Sequence, residues 1–178
     1  MILPVVLYGD PILETISADV DQKSQSDINR LVDDMFETMH KANGVGLAAV
    51  QVGVPLRLFV IEAHLPDEDF HLRGVFINPT IIREFGDPVK YPEGCLSVPG
   101  LAGNVERLSS IEIEYLDGDW KPQKRIFDGY AARIIQHEYD HLEGKVYVEK
   151  LDTIWKKAME RPIEQIINRE IKPPYLWK

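Results

Sequence analysis

The stretch IIQHEYDHLEG, residues 134–144, contains two histidines four positions apart, with a glutamate directly after the first. Successive residues of an α-helix are separated by about 100°, so His137 and His141 should lie about 40° apart, one turn above the other. Two imidazoles at this spacing can bind one metal ion, while Glu138 lies close to its open coordination position. The pattern therefore predicts a helix that carries a catalytic metal site.

The metal-binding face of this helix should also face the core of the protein. Tyr130 and Ile134 fall on the same stripe as the two histidines, which gives the helix an apolar side. The helix should run from about Gly129 to Leu142, with a break at Gly144. Asp140 lies on a different side, where we expect a solvated carboxylate rather than a partner for a metal-bound imidazole.

A catalytic site of this type needs a third protein ligand and an open position for water. The sequence after His141 contains no histidine, so the downstream candidates are Glu143 and Glu149, as a zinc endopeptidase would require. The upstream candidate is the single cysteine, Cys95, in the Pro- and Gly-bounded stretch 91–100. A Cys/His₂ set suits Fe(II), Zn, Co or Ni. From these residues alone, a metallo-endopeptidase and a closed, non-enzymatic metal module stay open as alternatives.

The rest of the chain predicts an amphipathic helix near the N-terminus, strands in the middle and a last helix. Apolar residues recur at helical spacing from Ile28 to Met39, and prolines between 79 and 99 disfavour helices there. The other expectations are strands over 57–62 and 75–79, a polar loop over 65–74, a hairpin over 111–128 turning at Asp117–Gly118, a strand over 145–149, and a helix over 152–170 interrupted or kinked at Pro162. Residues 1–178 should form a single α+β domain, with mostly antiparallel sheets around the central HExxH helix.

Composition restricts the partners and the compartment. Apolar residues make up 44% of the 178-residue chain and the net charge is −9, which disfavours DNA binding. Residues 150–178 carry seven Lys and Arg against four Asp and Glu, a net charge of +3, so this C-terminal helix and tail could contact an RNA-rich partner or form a solvated face. No apolar run approaches the ~20 residues that span a bilayer, and the start lacks a signal-peptide pattern, so we expect no membrane contact and a cytoplasmic protein.

Three stretches together resemble the signature motifs of peptide deformylases: GVGLAAVQ (residues 44–51), EGCLS (93–97) and QHEYDH (136–141). They occur in the family's order and at about its separations, across most of the chain. The resemblance implies a metal-dependent hydrolase that removes the N-formyl group from the N-terminal formylmethionine of newly synthesised polypeptides. Two positions depart from the family pattern. Val50 stands where Pro or Thr is frequent, and Ala102 stands where some relatives carry a substrate-contacting Arg.

The resemblance also implies roles for individual residues. Cys95, His137 and His141 would bind one divalent ion, Fe(II) in the native enzyme, with Zn, Ni or Co as alternatives. Glu138 would act as general base and then general acid, and the Gln51 side chain and the Leu96 backbone N–H would donate to the oxyanion. The residues expected to contact the substrate are Val45, Gly46, Tyr91, Gly94, Tyr130 and Ile134. The partners implied are formylmethionyl peptides on nascent chains, and with them the ribosome.

Overall fold

The structure, a computed structural model, describes residues 1–65 and 70–178. Among these residues, three α-helices and five strands are found, joined by short 3₁₀ helices. The helices are α1 (Gln25–Lys41), α2 (Gly129–Leu142) and α3 (Thr153–Ile167). The strands are β1 (Gly46–Ala48), β2 (Leu58–Leu65), β3 (Phe70–Cys95), β4 (Val98–Leu116) and β5 (Pro122–Asp128). The predicted α+β class is therefore confirmed.

All five strands belong to one antiparallel sheet in the order β1-β2-β3-β4-β5. The register of β3 against β4 shifts around Pro79 and before Pro88, where a residue without an N–H cannot donate to the ladder. The two strands nevertheless stay paired until Cys95 faces Val98 across a two-residue turn. The long hairpin thus carries the cysteine to the end of the sheet that faces α2.

Strand β2 separates two apolar clusters because its side chains alternate between the faces of the sheet. Phe59 and Ile61 point into the larger cluster, which includes residues of α2, whereas Leu58 and Val60 point into the cluster covered by α1. Eleven of the fourteen residues of α2 are buried. The helix that carries the HExxH pattern is therefore central to the fold, as predicted.

The structure confirms most of the predicted elements and corrects three of them. Residues 70–74 are not loop but part of β3, paired with β2, while 66–69 lie outside the described residues. Residues 145–149 do not form a strand, because Tyr147–Lys150 form a 3₁₀ helix whose entry is capped by the Glu149 carboxylate. Helix α3 continues through Pro162 and buries Met159 and Ile166, so the predicted interruption is wrong, while a kink at Pro162 stays a prediction.

The chain after α3 turns back and packs beside the N-terminal segment. The backbone N–H of Val5 donates to the Leu176 carbonyl at 3.0 Å, and the N–H of Lys178 donates to the Val5 carbonyl at 2.9 Å. Trp177 packs against the larger apolar cluster. Among the described residues, no helix is long and apolar enough to cross a membrane.

Candidate metal centre

Two separate parts of the chain bring three potential metal ligands together. Cys95 ends β3, and His137 and His141 lie one turn apart on α2; one donor atom from each lies within 4.8 Å of the others. The distance from Cys95 Sγ to His141 Nε2 is 3.4 Å. A tetrahedral ion, with metal–sulfur about 2.3 Å and metal–nitrogen about 2.0 Å, holds such atoms about 3.5 Å apart. The separation of Cys95 and His141 therefore matches a tetrahedral divalent ion, and His137 lies close enough to supply the third ligand.

The two downstream glutamates have other partners. Glu143 Oε1 accepts a hydrogen bond from Arg57 Nη1 at 2.7 Å, and Glu149 Oε1 accepts one from the Val146 N–H at 3.3 Å. Neither belongs to the group of ligand atoms around the two histidines. The geometry thus favours Cys95 over the downstream ligand that an endopeptidase of this type requires.

A buried carboxylate, Glu93, orients the first histidine. His137 Nδ1 lies 2.9 Å from Glu93 Oε2, so the ring donates from Nδ1 and leaves Nε2 with its lone pair for a metal. Glu93 also accepts from Arg107 Nε at 2.6 Å, from Arg107 Nη2 at 2.9 Å and from Arg133 Nη1 at 2.8 Å. Burial by itself would raise the pKa of the Glu93 carboxyl, but the hydrogen bonds from Arg107 and His137 outweigh it and hold that pKa well below its usual range.

Asp140 extends this network and is not at the solvated surface that we predicted. It is buried, accepts from Arg107 Nη1 at 2.8 Å and pairs with Lys150 Nζ at 2.8 Å. The prediction was wrong because the angle around α2 was judged without β4, which covers that side of the helix with Arg107. Asp140 therefore fixes the position of Arg107, which in turn binds Glu93.

Glu138 lies directly over the strand β1. A β-carbon built on Gly46 would lie 2.7 Å from Glu138 Cδ, so any side chain larger than glycine at position 46 would displace the carboxylate. Burial, the largest influence, raises the pKa of Glu138 to about 7. Its Oε2 atom has no hydrogen-bond partner among the described residues. This carboxyl group is thus held in the site but left free to exchange a proton near neutral pH.

Gln51 is buried beside the cysteine. Its side-chain nitrogen lies 3.3 Å from Cys95 Sγ and 3.1 Å from Ser97 Oγ, and its oxygen accepts from the Ala48 N–H at 2.8 Å. The 3₁₀ helix Ala49–Val52, which follows β1 directly, directs the side chain inward. The glutamine therefore presents amide N–H groups next to the three potential ligands.

A cavity of about 570 Å³ opens onto this centre. Of the residues expected to contact substrate, five line it: Val45, Gly46, Gly94, Tyr130 and Ile134. Tyr91 is 51% exposed and lines a smaller neighbouring cavity of about 190 Å³, which shares Tyr130 and Arg133 with the larger one. Leu96 and Ala102 also line the larger cavity. The expected contact residues thus lie around two adjoining cavities.

Sequence reasoning missed several residues of the site. Glu93 and Arg133 line the cavity, as do Pro174 and Tyr175 from the chain after α3. The sequence did contain a signal for Glu93, because a carboxylate two positions before a metal-binding cysteine is well placed to pair with a ligand histidine. For the two residues near the C-terminus no signal exists in the sequence, because only the return of the chain brings them to the site.

Comparison with known proteins decides the family. A family model described as Polypeptide deformylase matches residues 2–157. The chain belongs to the peptide deformylase family. A peptide deformylase from Cytophaga hutchinsonii is 44% identical over 180 residues, covering 100% of this chain and 97% of that protein. As a peptide deformylase, the chain is a hydrolase, and the endopeptidase alternative is not favoured.

Solved structures of the family share the fold. A peptide deformylase from Ehrlichia chaffeensis in complex with actinonin matches with a TM-score of 0.85 and 38% identity, over 96% of this chain and 99% of that one. A Met-Ala-Ser-bound class I type b peptide deformylase from Acinetobacter baumannii matches with a TM-score of 0.80 and 35% identity, over 85% of this chain and 99% of that one. The α+β architecture is therefore that of peptide deformylases.

Replacement of Glu93 by glutamine tests the buried network. The change leaves Arg107 and Arg133 without their shared carboxylate and His137 without a charged acceptor. We expect the free energy of unfolding to fall by about 3–5 kcal/mol, and metal affinity to fall by roughly 10- to 100-fold. Urea denaturation and competition with a chelator measure the two effects.

Glu112→Gln is the matched control for this experiment. Glu112 also pairs with an arginine, Arg83, at 2.7 Å, but that arginine is exposed. Loss of a surface pair should cost less than about 1 kcal/mol and leave metal affinity unchanged. Equal effects of the two substitutions would contradict the role assigned to Glu93.

Proposed function

We propose that this peptide deformylase hydrolyses the formyl group of N-terminal formylmethionine on newly synthesised polypeptides. Water adds to the formyl carbon, the carbon–nitrogen bond breaks, and the products are formate and a free methionine amine. The observation that carries the proposal is the position of Glu138, buried beside the Cys95, His137 and His141 group at a cavity of about 570 Å³. Residues 1–178 would form one catalytic unit, in which residues 150–178 supply the last helix and the tail.

Cys95 Sγ, His137 and His141 would hold one divalent ion in this proposal. A thiolate with two neutral imidazoles is a donor set that suits Fe(II), Zn, Ni and Co, and we propose Fe(II) as the native metal. When bound, such an ion supplies a Lewis acid that lowers the pKa of water and polarises the formyl oxygen. The hydrogen bond from His137 Nδ1 to Glu93 supports this ligand set, because it fixes the ring orientation.

Glu138 would move the proton. In its ionised form it accepts a proton from the attacking water, and it then delivers that proton to the methionine nitrogen as the carbon–nitrogen bond breaks. Its unpaired Oε2 atom and its burial support this role. Gly46 supports it as well, since the absence of a side chain there leaves room for the carboxylate between β1 and α2.

Gln51 and Leu96 would stabilise the negative charge that develops on the formyl oxygen. The Gln51 amide nitrogen lies 3.3 Å from Cys95 Sγ, and Leu96 is the residue directly after that cysteine. Donors fixed in advance beside the reacting carbonyl lower the barrier, and loss of one typically costs about 3–4 kcal/mol. The two donors come from separate segments that meet at the cysteine, so that the oxygen would be bound by both.

The substrate would bind as an extended peptide along β1. This strand is at the edge of the sheet and pairs only with β2 among the described strands, and Val45 and Gly46 line the cavity. A peptide can add to such an edge through main-chain hydrogen bonds. Tyr130 and Ile134, with Gly94, would form the apolar pocket for the methionine side chain, and Tyr91 would lie at its outer end.

Glu138→Gln separates proton transfer from metal binding. We expect kcat/KM for a formyl-Met-Ala-Ser peptide to fall by about 10²–10⁴-fold, because the amide cannot accept the proton. Metal content should stay at the wild-type level, since Glu138 is not a ligand in this proposal. Formate release measures the rate, and metal analysis of the same sample provides the control. Retained turnover would contradict the catalytic role of Glu138.

Cys95→Ser and Glu143→Gln together test the ligand set. After anaerobic purification, we expect about one iron per chain in the wild-type protein and in Glu143→Gln, and a large loss of metal in Cys95→Ser. The reason is that Glu143 pairs with Arg57, away from the histidines. The endopeptidase alternative predicts the reverse, namely loss of metal in Glu143→Gln and retention in Cys95→Ser.

We further propose that the protein acts in the cytoplasm at the ribosome, where formylated chains emerge. Helix α3 carries the exposed cations Lys156, Lys157 and Arg161, which can contact ribosomal RNA. Deletion of 150–178 is a poor test, because this region contributes Met159 and Ile166 to the core.

Charge reversal at these three positions tests the contact without removing the helix. We expect Lys156→Glu, Lys157→Glu and Arg161→Glu together to abolish co-sedimentation with ribosomes from a cytoplasmic extract at low salt, because like charges repel phosphates. The rate on a free formylated tripeptide should not change. The control variant carries Lys121→Glu and Lys124→Glu, on the hairpin of β4 and β5, and should co-sediment like the wild-type protein. Unchanged co-sedimentation of the triple variant would refute the proposal.

A further inference from the structure

The chain after α3 is attached to the N-terminal segment by several hydrogen bonds. Arg169 adopts a left-handed conformation, with φ of 59°, which reverses the chain, and its Nη1 donates to the Tyr8 carbonyl at 2.8 Å. Farther along, the Leu176 carbonyl accepts from the Val5 N–H at 3.0 Å. Residues 169–178 therefore form a fixed strip along residues 5–8.

The N-terminal segment also contacts the two segments that carry the proposed oxyanion donors. The Val6 N–H donates to the Gln51 carbonyl at 2.7 Å, and the Tyr8 N–H donates to the Ser97 carbonyl at 2.8 Å. Ser97 directly follows Leu96 in the turn between β3 and β4. The strip 169–178, residues 5–8 and the two donor segments thus form one continuous hydrogen-bonded arrangement.

Tyr175 makes a direct contact across this arrangement. Its hydroxyl donates to the Leu96 carbonyl oxygen at 2.6 Å, and both Tyr175 and Pro174 line the cavity above the metal ligands. The Leu96 side chain is packed as well, since a β-carbon on Gly44 would lie 2.8 Å from its Cδ1. Leu96 is therefore held at its side chain by the apolar cluster that α1 covers, and at its backbone by Tyr175.

We propose that Tyr175 is a positioning residue for the hydrolysis, acting through the Leu96 backbone. A turn residue can rotate its peptide groups unless its carbonyl is fixed, and an oxyanion donor is effective only if its N–H already points at the developing charge. The Tyr175 hydroxyl fixes the Leu96 carbonyl and so limits rotation of the backbone that carries the Leu96 N–H. This inference rests on the proposed function, in which Leu96 is a donor.

Tyr175→Phe removes the hydroxyl and keeps the ring. We expect kcat for a formyl-Met-Ala-Ser peptide to fall by about 3- to 10-fold, which is the value of one hydrogen bond to a backbone carbonyl. KM should stay unchanged, and so should inhibition by the product peptide Met-Ala-Ser, because that peptide has no formyl oxygen for Leu96 to stabilise. Metal content and circular dichroism should match the wild-type protein. Tyr115→Phe, the same change in the sheet core away from the cavity, should leave all these quantities unchanged.

The possible outcomes separate this inference from the proposed function. If wild-type protein releases no formate, the proposed function fails and the role of Tyr175 fails with it. If wild-type protein is active and Tyr175→Phe has the same kcat, only the inference is overturned. The inference is also overturned if KM and the product inhibition constant change while kcat does not, since Tyr175 then only lines the cavity and contacts the peptide. Loss of metal in Tyr175→Phe overturns it too, because the hydroxyl then supports Cys95 rather than Leu96.

Discussion

The buried carboxylate of Glu93 is the interaction on which the site depends. It joins three elements, because Glu93 belongs to β3, Arg107 to β4, and Arg133 and His137 to α2. A buried ion pair contributes little net stability compared with apolar packing, but removal of one partner is costly. The network therefore fixes the position of α2 against the hairpin more than it stabilises the fold. Since Cys95 follows on the same strand, fixing Glu93 against α2 also fixes the distance between the cysteine and the two histidines.

The helices and the two histidines could be predicted because their signals are local, whereas Cys95 was preferred over Glu143 and Glu149 only through the resemblance of three separate motifs to one family. The His137–His141 spacing and the apolar stripe of α1 each lie within one helix, and the Asp117 turn lies within a few residues between two adjacent strands; the structure contains all three. The strand at 70–74 could not be predicted, because the sequence there is polar and only its pairing with β2 makes it part of a strand. Strand pairing depends on both partners, so the sequence of 70–74 taken alone predicts a loop.

The supporting residues were missed for a related physical reason. An arginine such as Arg107 is usually exposed, and only a pair of carboxylates from two other elements makes its burial possible. Asp140 was placed at the surface from its angle around α2, which takes no account of Arg107 on β4. Tyr175 lies 79 residues after the Leu96 carbonyl that it contacts, and the contact exists only because Arg169 reverses the chain. Partners at such separations depend on the complete fold.

The unsatisfied polar atoms of the fold are concentrated where the chemistry would occur. Among the described residues, three buried side-chain atoms lack a hydrogen-bond partner, and two of them, Glu138 Oε2 and His141 Nδ1, belong to the centre on α2. A buried polar atom without a partner costs about 1–3 kcal/mol, so folding alone disfavours it. Glu93, by contrast, is paired at both oxygens. Structural support accounts for the paired carboxylate of Glu93, whereas an unpaired oxygen such as Glu138 Oε2 is what the proposed proton carrier requires.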